Sequence, residues 1–283
     1  MKIGVVYKFY ESGYNRYGDK KYEKIKEHGF DCVDFSIVNT KTELYQSSEE
    51  RFMEILMREK YLAKEAGVEI HQVHGPWWIP KDTTEEDWQE HMEKMQQSIR
   101  AAAILGCRYW VIHPIMPYGT DDIEKGMEKE TWEINLSFMR KLLKTAKENN
   151  VIICIENMPF QSFSMSTSEK ILQFVHEIND ENFKICLDTG HVARFRNAKP
   201  GNDVRKLGKE IAVLHVHDNN GDRDTHQFPY TGIIDWEDFG KALKETSFNG
   251  VLSMETAPSA ELPDEEFHRQ GMKLAEIGRK IVE

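Results

Sequence analysis

No stretch of this 283-residue sequence approaches the roughly 18 consecutive apolar residues that mark a membrane span. The opening run, MKIGVVYKFY, is too short for the apolar region of a secretory signal. Cysteine is scarce: Cys32, Cys107, Cys154 and Cys186 show no CxxC spacing, and three of them sit inside apolar runs that suit a small buried thiol. A reducing, cytoplasmic setting is therefore expected. With 18 glycines and 9 prolines the chain is neither collagen-like nor low in complexity. Positive charge is in deficit, 37 basic against 48 acidic residues for a net charge of −11, so no net field draws in a polyanion and nucleic acid is disfavoured as a partner. The first apolar run also lacks a glycine-rich sequel. Val6 is followed by Tyr7-Lys8-Phe9-Tyr10-Glu11-Ser12-Gly13, neither a GxGxxG nor a P-loop, which leaves nucleotide cradling without local support.

What is present is an alternation. Eight short runs rich in Val, Ile, Leu and Cys read as strands: 2–6, 30–35, 68–74, 108–113, 151–156, 183–188, 211–217 and 251–255. Seven of them follow a helix-stop signal, such as Gly29, Gly67, Gly106 or Asn149-Asn150. Amphipathic segments lie between, opened by Ser47-Ser48-Glu49-Glu50, Thr83-Thr84-Glu85-Glu86, Asp235-Trp236-Glu237-Asp238 and Pro263-Asp264-Glu265-Glu266. Eight strand–helix units with right-handed crossovers leave a closed barrel or a doubly wound open sheet, and the missing glycine fingerprint disfavours the second. The expected fold is α/β, a single (β/α)8 TIM barrel over residues 1–283 without an internal linker.

Strands buried on both faces should be apolar to their ends. Six of these eight are not: they finish in His74, His113, Glu156, Asp188, His215-Val216-His217 and Glu255. In a barrel all C-terminal strand ends meet at one mouth, where chemistry is built. Period-two alternation puts Cys154 with Glu156, Cys186 with Asp188, His215 with His217 and Ser253 with Glu255 on the inner face. Clustered carboxylates repel and resist desolvation, and a divalent cation resolves the conflict. Glu156, Asp188, His215 and Glu255 offer three oxygens and one nitrogen, a set suited to one ion of Mn, Zn, Co or Mg. His217 shares the face of His215. His71, His91 and His176 lack this context and read as ordinary hydrogen-bonding residues.

The same residues, His74-Gly75-Pro76, His113-Pro114, Ile155-Glu156-Asn157, Leu187-Asp188-Thr189-Gly190-His191, His215-Val216-His217-Asp218, Gly232-Ile233-Ile234-Asp235-Trp236 and Glu255, resemble the xylose isomerase-like TIM-barrel superfamily. That superfamily holds sugar-phosphate isomerases and epimerases together with endonuclease IV proteins. The resemblance covers nearly the whole chain and implies a divalent-metal-dependent sugar or sugar-phosphate isomerase or epimerase, with a metal-stabilised enediolate and Glu156 and Glu255 as the acid–base pair. His215 is taken as the ligand over His217 because the family ligand stands three residues before an acidic position, here Asp218. His191 resembles a residue that contacts substrate oxygens, and His74, His113, Trp77, His217, Asp224 and His226 join it as candidates for the substrate side. Phe9, Tyr10, Trp78 and Trp110 are further aromatics that could stack on a sugar.

Two features depart from the family's ketose 3-epimerases. Their Arg six residues past the metal His falls on Gly221, and their Glu six past the first metal Glu falls on Ser162. The alternatives carried forward are an inosose-type dehydratase on the same site and an endonuclease IV-like trinuclear zinc phosphodiesterase. For the latter, His74, His113, His191, Asp224 and His226 would be extra ligands. The partner expected is a small-molecule sugar, with no membrane. Oligomeric state stays open, a homo-oligomer included. Arg194, Arg196 and Arg223 could form a phosphate site.

Overall fold

The computed structural model describes residues 1–78, 80 and 84–283, so Thr83 of the expected helix opening lies outside the described residues. In chain order the main elements of the first half are β1 (Lys2–Lys8), α1 (Lys21–Glu27), β2 (Cys32–Ser36), α2 (Glu43–Gln46), α3 (Glu49–Glu65), β3 (Glu69–His74), α4 (Glu85–Leu105), β4 (Tyr109–Ile112), α5 (Asp122–Lys125) and α6 (Glu128–Glu148). The second half runs β5 (Ile152–Glu156), α7 (Ser168–Ile178), β6 (Phe183–Asp188), α8 (Thr189–Ala193), α9 (Pro200–Leu207), β7 (Ile211–His215), α10 (Trp236–Glu245), β8 (Val251–Met254) and α11 (Asp264–Val282).

The strands pair in parallel and in sequence order from β1 to β7, and β1 also pairs with β8. The last gap is closed beside Val216, whose N–H donates to Ser253 O at 2.8 Å while Glu255 N donates to Val216 O at 3.0 Å. The architecture is the expected (β/α)8 barrel, each strand matching one of the eight apolar runs. Three runs outlast their strands, which leaves His113, His217 and Glu255 just past the ends of β4, β7 and β8.

Alternation divides the apolar residues into two compartments. Val111, Ile152, Cys154, Cys186 and Val213 pack together inside the barrel, whereas Ile153, Ile155, Ile185, Leu187 and Leu214 join the larger core beneath the helices. All four cysteines are buried and free.

The helices start where their caps do. Ser48 Oγ accepts from Arg51 N at 3.3 Å, and Thr84 and Asp87 bond each other's backbone N–H at 3.2 and 2.7 Å. Asp235 accepts from Asp238 N at 3.0 Å. Each such cap contributes about 1 kcal/mol. Among the described residues no helix is long and apolar enough to cross a membrane.

Candidate functional site

Glu156, the last residue of β5, is fully buried at the centre of the barrel mouth. Its Oε1 lies 2.7 Å from His215 Nδ1, and its Oε2 lies 3.1 Å from His113 Nε2 and 3.5 Å from His74 Nε2. The other nitrogen of His215 faces Asp34 Oδ2 at 2.8 Å, an oxygen that also accepts from Gln72 Nε2 at 3.0 Å. Both ring nitrogens of His215 are thus taken up by carboxylates, and its ring stacks on His74 at 5.5 Å.

A second group gathers one step outward. His217 Nε2 lies 3.0 Å from Asp188 Oδ2, 3.7 Å from Asp224 Oδ1 and 3.8 Å from Glu255 Oε2. Asp188 also caps the short α8, its Oδ1 accepting from His191 N at 2.6 Å, which folds His191 back over the site. Asp224 then lies between His191 Nε2 at 3.2 Å and His226 Nε2 at 3.3 Å. The His226 ring stacks on that of His217 at 4.0 Å. Thr189 Oγ1 and the His217 backbone hold each other at 2.8 and 3.1 Å. Asn157 ties β5 to β6 by accepting from Asp188 N at 2.8 Å and donating to Asp188 O at 3.1 Å.

Burial and charge shape the titration of these groups. Burial works to raise the Glu156 carboxyl, yet the His215 charge and the hydrogen bonds from His113, His215 and His74 hold it well below the usual carboxylate range. Asp188 is likewise brought to about 2, its burial outweighed by His191 and His217. Burial would lower His191 and His226, but Asp188 and Asp224 push them up to about 10 and about 9. Glu255 moves the other way, raised by burial with Glu156 and Asp188 adding to it.

The donor set fits a metal ion on three observations. His74, His191 and His226 each place Nδ1 within 2.7–2.8 Å of a backbone carbonyl, of Gly75, Asn157 and Glu255, which fixes each ring with Nε2 facing the site. Asp224 Oδ1 and Glu255 Oε2 are buried without a hydrogen-bond partner. Ligand atoms of His74, His113 and Glu156, of Asp188, His191 and His217, and of His217, Asp224 and His226 also lie within 4.8 Å of one another in each group.

The His, Asp and Glu candidates named from sequence all reach this mouth, but the aromatics divide. Trp77 is 46% exposed, 5.7 Å from the His113 ring, whereas Trp78 is buried against His91 and Trp88. Trp110 is fully buried and donates to Ser98 Oγ at 2.9 Å, away from any sugar. It sits behind the strands because its position in β4 has outward parity. Of the phosphate candidates, Arg194 spends Nη1 on Gly221 O at 2.6 Å. Sequence reasoning passed over Asp34 and Gln72. Their signal was a charged and an amide side chain in the middle of strands, at 1% and 0% exposure.

The xylose isomerase-like TIM barrel family matches residues 22–276, and the chain belongs to that family. Over 272 residues it is 26% identical to a D-psicose 3-epimerase of Ruminiclostridium cellulolyticum, covering 90% of this chain and 83% of that protein. Over 196 residues it is 23% identical to a probable endonuclease 4 of Mycoplasmopsis agalactiae, covering 63% of this chain and 66% of that one. Among solved structures, a D-tagatose 3-epimerase-like protein superposes with a TM-score of 0.78 at 26% identity, over 100% of this chain and 97% of the other.

Proposed function

From its place in the xylose isomerase-like TIM barrel family, we propose that this chain is a divalent-metal-dependent sugar epimerase acting on a ketose. The observation that carries the reading is the convergence of Glu156 and Glu255 from β5 and β8 on one buried mouth, with Asp188 and two histidines between them. Glu156, Asp188, His217 and Glu255 would hold the ion. His217 is preferred here to His215, the ligand of the sequence reading, on the ground that its Nε2 faces both Asp188 and Glu255, whereas His215 meets Asp34 with Nε2 and Glu156 and Glu255 with Nδ1. When bound, the ion supplies Lewis acidity to the carbonyl and hydroxyl oxygens of the sugar.

The protein does the remaining work. One of the two glutamates takes the proton from the carbon beside the carbonyl, and the other returns a proton to the opposite face. His191, held by Asn157 O and Asp224, is placed beside the substrate oxygens. Trp77 offers an exposed ring face at the rim for the apolar side of a sugar. In deuterated water the enzyme should introduce deuterium at the epimerised carbon of a ketohexose. Glu156→Gln should abolish that exchange, and near-normal exchange in the variant would refute the assignment.

A second reading, a phosphodiesterase with three zinc ions, is favoured by the two additional donor groups, His74–His113–Glu156 and His217–Asp224–His226. Elemental analysis separates the two. About one ion per chain, lost in Glu156→Ala, supports the epimerase, and three zinc ions with cleavage of abasic DNA support the phosphodiesterase.

A further inference from the structure

Asp34 is a carboxylate in the middle of β2, a strand otherwise read as core, and no direct role in the proposed proton transfer accounts for it. It is 1% exposed and lies inside the barrel below the mouth. Its Oδ2 meets His215 Nε2 at 2.8 Å and Gln72 Nε2 at 3.0 Å, while its Oδ1 and Gln72 Oε1 have no partner. On its far side His215 meets Glu156 Oε1 at 2.7 Å. The His215 ring therefore spans the two carboxylates, one at each nitrogen. The stacked His74 ring at 5.5 Å blocks the ring from swinging aside. Leaving a carboxylate this deep is costly, and an amide or apolar residue would pack more cheaply unless the charge has a task.

We infer that Asp34 is a positioning residue: through His215 it fixes the orientation of the Glu156 carboxylate for proton transfer. This inference rests on the epimerase reading, in which Glu156 meets the substrate and Asp34 does not. Ordering groups of this kind typically set activity by about 10- to 100-fold when removed. Asp34→Asn keeps the volume and removes the charge that holds His215 between the two carboxylates. It should lower kcat about 10-fold or more and leave KM within about twofold, since no substrate contact is lost.

The test is a double-mutant cycle on a ketohexose that the wild type turns over, paired with nitrogen-15 NMR of histidine-labelled, metal-free protein. In the wild type the His215 ring nitrogens should give the signals of one ordered ring. Asp34→Asn should shift both of them. In a His215→Gln background Asp34→Asn should cost nothing further, because its route to Glu156 is already cut. Wild-type kcat in Asp34→Asn, additive losses in the cycle, or unchanged His215 signals would each overturn the inference. If Asp34→Asn does not fold, Gln72→Met removes the other donor to the same oxygen and should lower kcat less, again at constant KM; wild-type kcat there also overturns it. Exchange that survives Glu156→Gln, or a wild type inert on every ketohexose, would sink the epimerase reading instead, and the NMR arm would still decide the role of Asp34.

Discussion

Gly190 is the third residue of the Asp188-Thr189-Gly190-His191 turn, and its missing side chain makes room for His217. A Cβ placed there would lie 2.0 Å from His217 Cε1 and 2.4 Å from Nδ1. The backbone of Gly190 is not in the left-handed region, so Gly190→Ala carries a steric cost without a conformational one. The ring has little room to retreat. It stacks on His226 at 4.0 Å, its backbone is clasped by Thr189, and it is fully buried. Overpacking of this kind costs about 1–3 kcal/mol. At about 2–4 °C per kcal/mol for a large domain, the melting temperature should fall by roughly 2–12 °C. Displacing His217 from Asp188 should also weaken metal binding by about 10- to 100-fold.

Gly271→Ala is the matched control. Its Cβ would meet another imidazole, His28, at 2.2 Å, but in α11 and remote from the mouth. Calorimetric melts and titration with Mn²⁺ should show both variants destabilised and only Gly190→Ala weakened in metal affinity. Wild-type metal affinity in Gly190→Ala, or equal weakening in both, would refute the placement of His217.

Other expectations follow from separate parts of the molecule. Lys21 and Glu59 form a buried ion pair at 2.6 Å, with Tyr22 donating to Glu59 at 2.8 Å, so Glu59→Leu strands a buried charge and should cost about 3–5 kcal/mol in urea unfolding. Adding Lys21→Met should restore most of that loss, and a double variant no better than the single would contradict it. His28 is pushed down to about 4 by burial first, with His268 and Lys24 adding to it against Glu27, and its Nδ1 faces the Tyr14 hydroxyl at 2.9 Å. The unfolded chain therefore binds the extra proton between about pH 6.5 and pH 4: stability is full above that window and declines through it as pH falls. His28→Gln should flatten the decline, and an unchanged slope would dismiss His28 as its source. Chelation should lower the melting temperature, since an ion held at a hundred times its Kd stabilises by about 2.7 kcal/mol, and returning Mn²⁺ should restore it.

Much of this protein was written in local pattern. The eight apolar runs, the capped helices and the breakers between them lead to a barrel because each signal acts over a few residues. Period-two alternation also set Glu156 and Asp188 inward, since a strand cannot present both neighbours to the same side. Glu255, one residue past β8, keeps that inward parity. What alternation cannot do is separate His215 from His217, which it places on one face. What tells the two rings apart is the set of partners each one meets. His215 is engaged by Asp34, 181 residues away in sequence, and by Glu156, 59 residues away, whereas His217 turns Nε2 toward Asp188 and Glu255. Trp110 and Trp77 likewise stand in similar sequence surroundings, yet one is sealed behind β4 and the other lies open at the rim. Sequence determined which residues face the axis of the barrel. Only the closing of the ring, which brings β2, β5 and β7 within hydrogen-bond reach across its interior, decided which partner each of them meets.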